Sequence, residues 1–372
     1  MSVNFRLPGP TPLPPAVLQA MQRPMISHRG PQMKELYRSI MRRAKAVHRT
    51  DGDVLLLPGS GSAGWELAIV NLLSPGDAVL AVTLGDFGDR FARVGAALGL
   101  NVTRLAIEWG SAPTAADVRA ALQATPEVKA VFLTHNETST GVTIPLAEIA
   151  AVVREHGALV VVDAVGSVGG LPLIMDEWGL DFVLSGSQKA WMCPPGLVIA
   201  GVGPRAWDAC SGSTYRRSFF DLKSAKTFAE DGMTATTPPL TLFYAFDAAL
   251  DMILAEGVDE VWARHAELGA RTRRLCADLG LSLFADPRTA SDTVTAVGLP
   301  QGVSAKTILT LLRDEFATEL QGGQGRMADT MLRIGHMGWV HADEIDRTVD
   351  AMGSAMGRLG ILPSARSAAA VS

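Results

Sequence analysis

Four places along this chain combine residue types and spacing that suit chemistry. The first is Pro58-Gly59-Ser60-Gly61-Ser62-Ala63-Gly64, after a short apolar run and before a helix-like stretch. Small residues there let backbone N–H groups at a helix N-terminus approach an anion, and Ser60 and Ser62 add hydroxyl donors. Gly59, Gly61 and Gly64 also satisfy G-x-G-x-x-G, and Asp86 follows about 20 positions later, so a dinucleotide is a second reading of the loop. The other three places are His135-Asn136-Glu137-Thr138, Asp163, and Ser185-Gly186-Ser187-Gln188-Lys189. Each stands directly after an apolar run. Ligands of open α/β sheets bind beyond the carboxyl ends of the strands, so all four are expected on one edge. The chain has seven lysines, and Lys189 alone has such a context. A desolvated lysine gives up its proton more readily and can act as a Schiff-base nucleophile. An aspartate facing the pyridine nitrogen of pyridoxal phosphate keeps that ring protonated and deepens its capacity to accept electrons. Pyridoxal phosphate needs the phosphate loop, the Asp and the Lys together, whereas a dinucleotide needs neither Lys189 nor Asp163.

Longer stretches carry a resemblance. Ser185-Gly186-Ser187-Gln188-Lys189-Ala190 with Pro194-Pro195-Gly196 resembles the lysine motif of class V aminotransferases. His135-Asn136-Glu137-Thr138-Ser139-Thr140-Gly141-Val142, Leu332-Arg333-Ile334-Gly335-His336-Met337-Gly338 and Leu7-Pro8-Gly9-Pro10-Thr11 are similar to further segments of that family. The likeness runs from about residue 5 to 358 and is greatest to the alanine–glyoxylate and serine–glyoxylate group. It implies a fold-type I enzyme with bound pyridoxal 5'-phosphate. Such an enzyme would move an amino group from a small amino acid, alanine or serine, to glyoxylate or a similar 2-oxo acid by a ping-pong Schiff-base mechanism.

Roles follow from the resemblance position by position. Lys189 and Asp163 would be catalytic. Ser60, Gly61 and Ser62 would cradle the phosphate, helped by Gln188. Phe87 would stack on the cofactor ring, Val165 would cover its other face, and Thr138 would approach its phenolic oxygen. Thr237, joined by Thr234, would reach the phosphate of a neighbouring subunit, which implies a homodimer with shared active sites. Arg333 would grip the substrate carboxylate through two parallel hydrogen bonds. His28-Arg29 matches a segment that approaches the partner's site, and a solvated turn explains it equally well. No metal ligand set is expected. Cysteine desulfurases require a late mobile-loop cysteine, and the stretch 321–326 has none. Ureidoglycine–glyoxylate, pyridoxamine–pyruvate and aminoethylphosphonate–pyruvate transaminases remain alternatives, and an NAD-dependent oxidoreductase is a more distant one.

These residues need elements to hold them. Apolar runs at 53–57, 78–83, 130–134, 158–162, 182–184 and 197–202 read as strands buried on both faces. Helix-length stretches near 62–73, 87–98, 113–124 and 145–156 alternate with them, which argues a mostly parallel α/β sheet. The resemblance raises the count to seven strands. A helical stretch at about 241–278 leads to strands near 281–284, 292–298 and 331–335, with helices at 305–316 and 342–358. The chain thus divides into an extended arm (1–20), a large cofactor-binding α/β domain (21–255), a smaller C-terminal α+β domain (256–362) and a disordered tail (363–372).

Composition narrows the classes. The 372 residues are 48% hydrophobic and 19% charged, enough for a large core and wrong for a disordered chain. Lys+Arg of 33 against Asp+Glu of 38 leaves a net charge of −5, and no basic run suggests nucleic acid. The longest uncharged run is short and rich in Pro and Gly, so no membrane span is expected. Three scattered cysteines and a Pro-rich start without an apolar leader suit the cytoplasm.

Overall fold

Strands that are apolar on both faces must find their backbone partners in neighbouring strands, because neither face offers water. A computed structural model describes residues 3–361. Seven strands form one sheet in the spatial order Asp53–Gly59, Gly196–Val202, Phe182–Gly186, Leu159–Asp163, Ala130–Thr134, Ala78–Thr83, Asn101–Ala106. Six run in one direction, and Gly196–Val202 runs against both its neighbours. All six apolar runs are strands. The seventh, Asn101–Ala106, lies at an edge and is largely turned to solvent, so it has no apolar run to mark it.

Alternate residues of each central strand feed two separate cores. Val160 and Val162 join one cluster with Val131, Leu133 and Ile199, while Leu159 and Val161 join another with Phe132, Leu184 and Val198. Each such side chain, fully buried, contributes about 1.5–3 kcal/mol. Helices Gly61–Leu72, Asp86–Ala97, Ala115–Ala124 and Leu146–His156 lie close to their expected positions. A further helix, Pro31–His48, buries Met33, Leu36, Tyr37, Ile40 and Val47, a clear helical period that begins at a proline. The first twenty residues are extended only in part. Pro15–Ala20 is a helix, started by a proline whose φ is already helical.

A second, antiparallel sheet has the order Ser282–Leu283, Val294–Gly298, Met331–Gly335, Gln321–Gly322. Helices Ala305–Phe316 and Ala342–Arg358 cover it around Leu332, Ile334, Ile308 and Met352. The expected helical stretch 241–278 is two helices, Leu240–Glu256 and Val258–Asp278, because the chain turns at Gly257. The expected tail, 363–372, lies outside the described residues. Among the described residues no helix is long and apolar enough to cross a membrane.

The arm joins the two sheets. Asn4–Phe5 pairs in parallel with Thr318–Glu319, and Gly335 N donates to Arg6 O at 2.8 Å. A few residues on, Thr11 N donates to Gln188 O and Thr11 Oγ1 to Lys189 O, both at 3.0 Å.

Candidate active site

Lys189 follows the strand Phe182–Gly186, and its side chain is buried against the arm. Its Nζ donates to Pro8 O at 2.5 Å. Gly9 permits this approach: its φ is +123°, and a Cβ there would stand 2.6–2.7 Å from Lys189 Cδ, Cε and Nζ. Burial, and then the Arg333 cation, lower the Lys189 pKa to about 8, against the pull of Asp163 and Glu137. An amine so placed is partly free base near neutral pH.

Asp163 ends the adjacent strand and is 3% exposed. Its Oδ2 accepts Trp65 Nε1–H at 2.8 Å, and its Oδ1 accepts Val165 N–H at 2.9 Å. Burial outweighs these bonds and raises its pKa to about 6. Trp65 is held by stacking on Phe91, which stacks on Phe132. The loop 60–62 opens the helix Gly61–Leu72, whose Ser60 N-cap makes no side-chain bond to the helix. A Cβ on Gly61 would lie 2.7 Å from Val165 Cγ2, so the loop packs closely on the turn after Asp163. Gln188 Oε1 is buried without a partner.

Glu137 is fully buried and gathers four donors. Its Oε1 accepts from Ser139 N (3.1 Å), Ser139 Oγ (2.5 Å) and Phe87 N (3.4 Å), and its Oε2 from Gly88 N (3.0 Å). It therefore caps the helix Asp86–Ala97 and fixes Phe87 in its first turn. Burial nevertheless raises its pKa. Arg333 comes from the other sheet, on the strand Met331–Gly335, and is 3% exposed. Its Nε donates to Gly322 O at 2.8 Å, and its Nη1 to Thr138 O at 3.2 Å and Gln324 Oε1 at 3.3 Å. Burial lowers its pKa to about 10, and Glu137 is the leading opposing charge. The 135–142 segment therefore bridges the sheets, with Thr138 O on Arg333 and Glu137 on the Phe87 turn.

Other expected residues make different contacts. The Thr234 hydroxyl donates to Thr236 O, and Thr237 is exposed. Neither hydrogen-bonds to Lys189, Asp163 or the 60–62 loop among the described residues. Arg29 Nη1 donates to Thr234 O at 2.8 Å, which ties the His28-Arg29 turn to that same segment. His336 bonds Thr295 Oγ1 and the Asp292 carbonyl and braces the strand beside Arg333. His135 is buried edge-on to Trp178, and burial lowers its pKa to about 4. Asp86, which a bound ribose would require, pairs with Arg90 at 2.8 Å. Among the described residues no group of three or more His, Cys, Asp or Glu could hold a metal ion.

Sequence reasoning passed over Trp65, Pro8, Glu137 and Gln324 as site residues. Glu137 and Pro8 stood inside quoted motifs, and Gln324 inside a loop weighed only for cysteine. Trp65 is 98 positions from Asp163, and no spacing signal could have paired them.

These residues suit pyridoxal phosphate. An N-cap serine free of its helix offers an anion site, and a buried carboxylate with a raised pKa awaits a cationic partner. Fold and site together define a pyridoxal-phosphate-dependent transferase of fold type I. An alanine–glyoxylate aminotransferase from Nostoc sp. superposes with a TM-score of 0.91 at 31% identity over 96% of each chain. The chain is 40% identical to a protein named soluble hydrogenase, small subunit, from Synechococcus sp., covering 95% of this chain and 93% of that one. It is 37% identical to a serine–glyoxylate aminotransferase from Methylorubrum extorquens, covering 89% and 85%. The model of the class V aminotransferases matches residues 3–347. The chain belongs to the class V aminotransferase family and is a transaminase with pyridoxal phosphate as cofactor.

Proposed function

We propose that this transaminase moves an amino group from a small amino acid, alanine or serine, to glyoxylate or a similar short 2-oxo acid. The observation that carries this reading is the meeting of three groups from two sheets: Lys189, Asp163 and Arg333. The bound cofactor supplies the electron sink that stabilises negative charge at the substrate Cα. Asp163, ionised above about pH 6, would hold a proton on the ring nitrogen. Ser60, the Gly61 and Ser62 main chain and Gln188 hold the phosphate. Phe87 and Val165 would flank the ring, and Thr138 would approach its phenolic oxygen. Arg333 orients the substrate carboxylate, which sets the Cα proton toward Lys189. Lys189 Nζ, with its lowered pKa, takes that proton and returns one in the reverse half-reaction. Both substrates carry a carboxylate, so one handle serves both half-reactions in turn.

Thr237, with Thr234, serves the phosphate site of a second copy, and the working form is a homodimer. Thr237 is exposed, which leaves it open to a second chain. We place the enzyme in the cytoplasm, in keeping with three buried free thiols.

The test uses purified protein with amino donors (alanine, serine, aspartate) against glyoxylate and pyruvate. Borohydride should fix the cofactor on Lys189, located by peptide mass. Lys189→Ala should lose turnover by at least about a thousandfold. A Lys189→Ala protein with full activity refutes the reading.

A further inference from the structure

Arg333 has five N–H bonds, and the structure accounts for how they are spent. A carboxylate held by two parallel bonds takes one N–H from each of two neighbouring guanidinium nitrogens. Two such pairs exist, Nε with Nη2 and Nη1 with Nη2. Nε is committed to Gly322 O at 2.8 Å, a main-chain carbonyl fixed by the pairing of Gly322 with Leu332. The usable pair is therefore Nη1 with Nη2.

Both Nη1 hydrogens already have acceptors. One is Thr138 O, a main-chain atom in a buried segment. The other is Gln324 Oε1, at 3.3 Å the longest of the three contacts and the only one from a side chain. Gln324 is half-buried, in the loop after the strand Gln321–Gly322. It can rotate away without moving any strand, whereas the other two acceptors cannot.

We propose that Gln324 is a placeholder for the substrate carboxylate. Its amide oxygen occupies the Nη1 position of Arg333 and yields it when an α-amino or α-keto acid binds. The inference rests on Arg333 being the carboxylate handle. Its consequence is uniform: every carboxylate competes with the same side chain, so Gln324 sets affinity for donor and acceptor alike. It does not set the choice between them.

The experiment measures binding of propionate, which has the carboxylate of alanine and no amino group, to the cofactor-loaded protein by calorimetry. Gln324→Ala removes the competitor, and propionate should bind about three- to tenfold more tightly, the net worth of one ordinary hydrogen bond. KM for alanine and for glyoxylate should fall by a common factor. Gln324→Glu leaves a permanent carboxylate beside Arg333 and should weaken propionate at least about tenfold. Unchanged or weaker propionate binding in Gln324→Ala overturns the placeholder role. Arg333→Ala separates the two levels. If it binds propionate as the wild type does, the handle itself is wrong and the placeholder falls with it. If it loses propionate while Gln324→Ala gains nothing, only the placeholder fails.

Discussion

Replacing Asp163 with asparagine separates two effects that the carboxylate combines. Asp163 accepts two hydrogen bonds, yet burial raises its pKa from 3.8 to about 6. The folded chain thus holds the Asp163 proton more tightly than the unfolded chain does. Between those two pKa values the native state binds more protons, so its stability falls as pH rises through that window. Above it the cost of the buried charge is complete. At 1.36 kcal/mol per unit, a rise from 3.8 to about 6 amounts to roughly 3 kcal/mol, of which about 2 accrues between pH 4.5 and 7.5. Asparagine carries no charge and escapes this term. It has one acceptor oxygen for two donors, so it loses a hydrogen bond, at a cost of about 1–3 kcal/mol that does not vary with pH. In cofactor-free protein, the stability of Asp163→Asn relative to wild type should therefore improve by about 2 kcal/mol from pH 4.5 to 7.5. Urea unfolding at a series of pH values, followed by tryptophan fluorescence, measures this. Saturating pyridoxal phosphate should restore the wild-type advantage at pH 7.5, because only the carboxylate can pair with a pyridinium. A pH-independent difference between the two proteins refutes the reasoning.

Two other substitutions probe the walls of the site. Gly9→Ala places a methyl group 2.6–2.7 Å from the Lys189 side chain, so kcat should drop more than about tenfold as Lys189 is displaced. Gly99→Ala, at φ +86° with nothing within 4 Å, should show only the strain of about 1–2 kcal/mol in thermal melting and keep full turnover. Equal kcat losses in both would show that contact with Lys189 is irrelevant. Glu137→Gln retains the shape but cannot accept from all four donors, so stability should fall by about 1–3 kcal/mol. Cofactor affinity, measured by equilibrium dialysis, should weaken several-fold as the Phe87 turn loosens; unchanged affinity would remove Glu137 from the support of the ring site.

What was legible in the sequence follows from how far each signal travels along the chain. Strands buried on both faces announce themselves locally, and the central sheet and the Lys189, Asp163 and 60–62 positions at its carboxyl edge could be read directly. The edge strand Asn101–Ala106 could not, because solvent on its faces removes the apolar run. The helix Pro31–His48 had a clear period but no chemistry to draw attention to it. Contacts between distant segments were the least accessible. Trp65 with Asp163, Pro8 with Lys189 and Gln324 with Arg333 depend on how two sheets and an arm come together. Single residues show nothing of that. Arg333 was readable only because a whole segment resembled a known family; its place on an inner strand of the second sheet is what buries it deeply enough to be rigid.

The arm has a consequence for the order in which the molecule is made. Its strand Asn4–Phe5 leaves the ribosome early, but the partner strand Thr318–Glu319 is synthesised more than three hundred residues later. At about 5–20 residues per second, that interval is roughly 15–60 seconds. Through it the large sheet can form and Lys189 can be placed, yet the lysine lacks the Pro8 carbonyl and the Gly9 contact that close over it. The arm is thus made long before its partner strand and seated only after it, and a chain halted before residue 318 would carry Lys189 still open on that side.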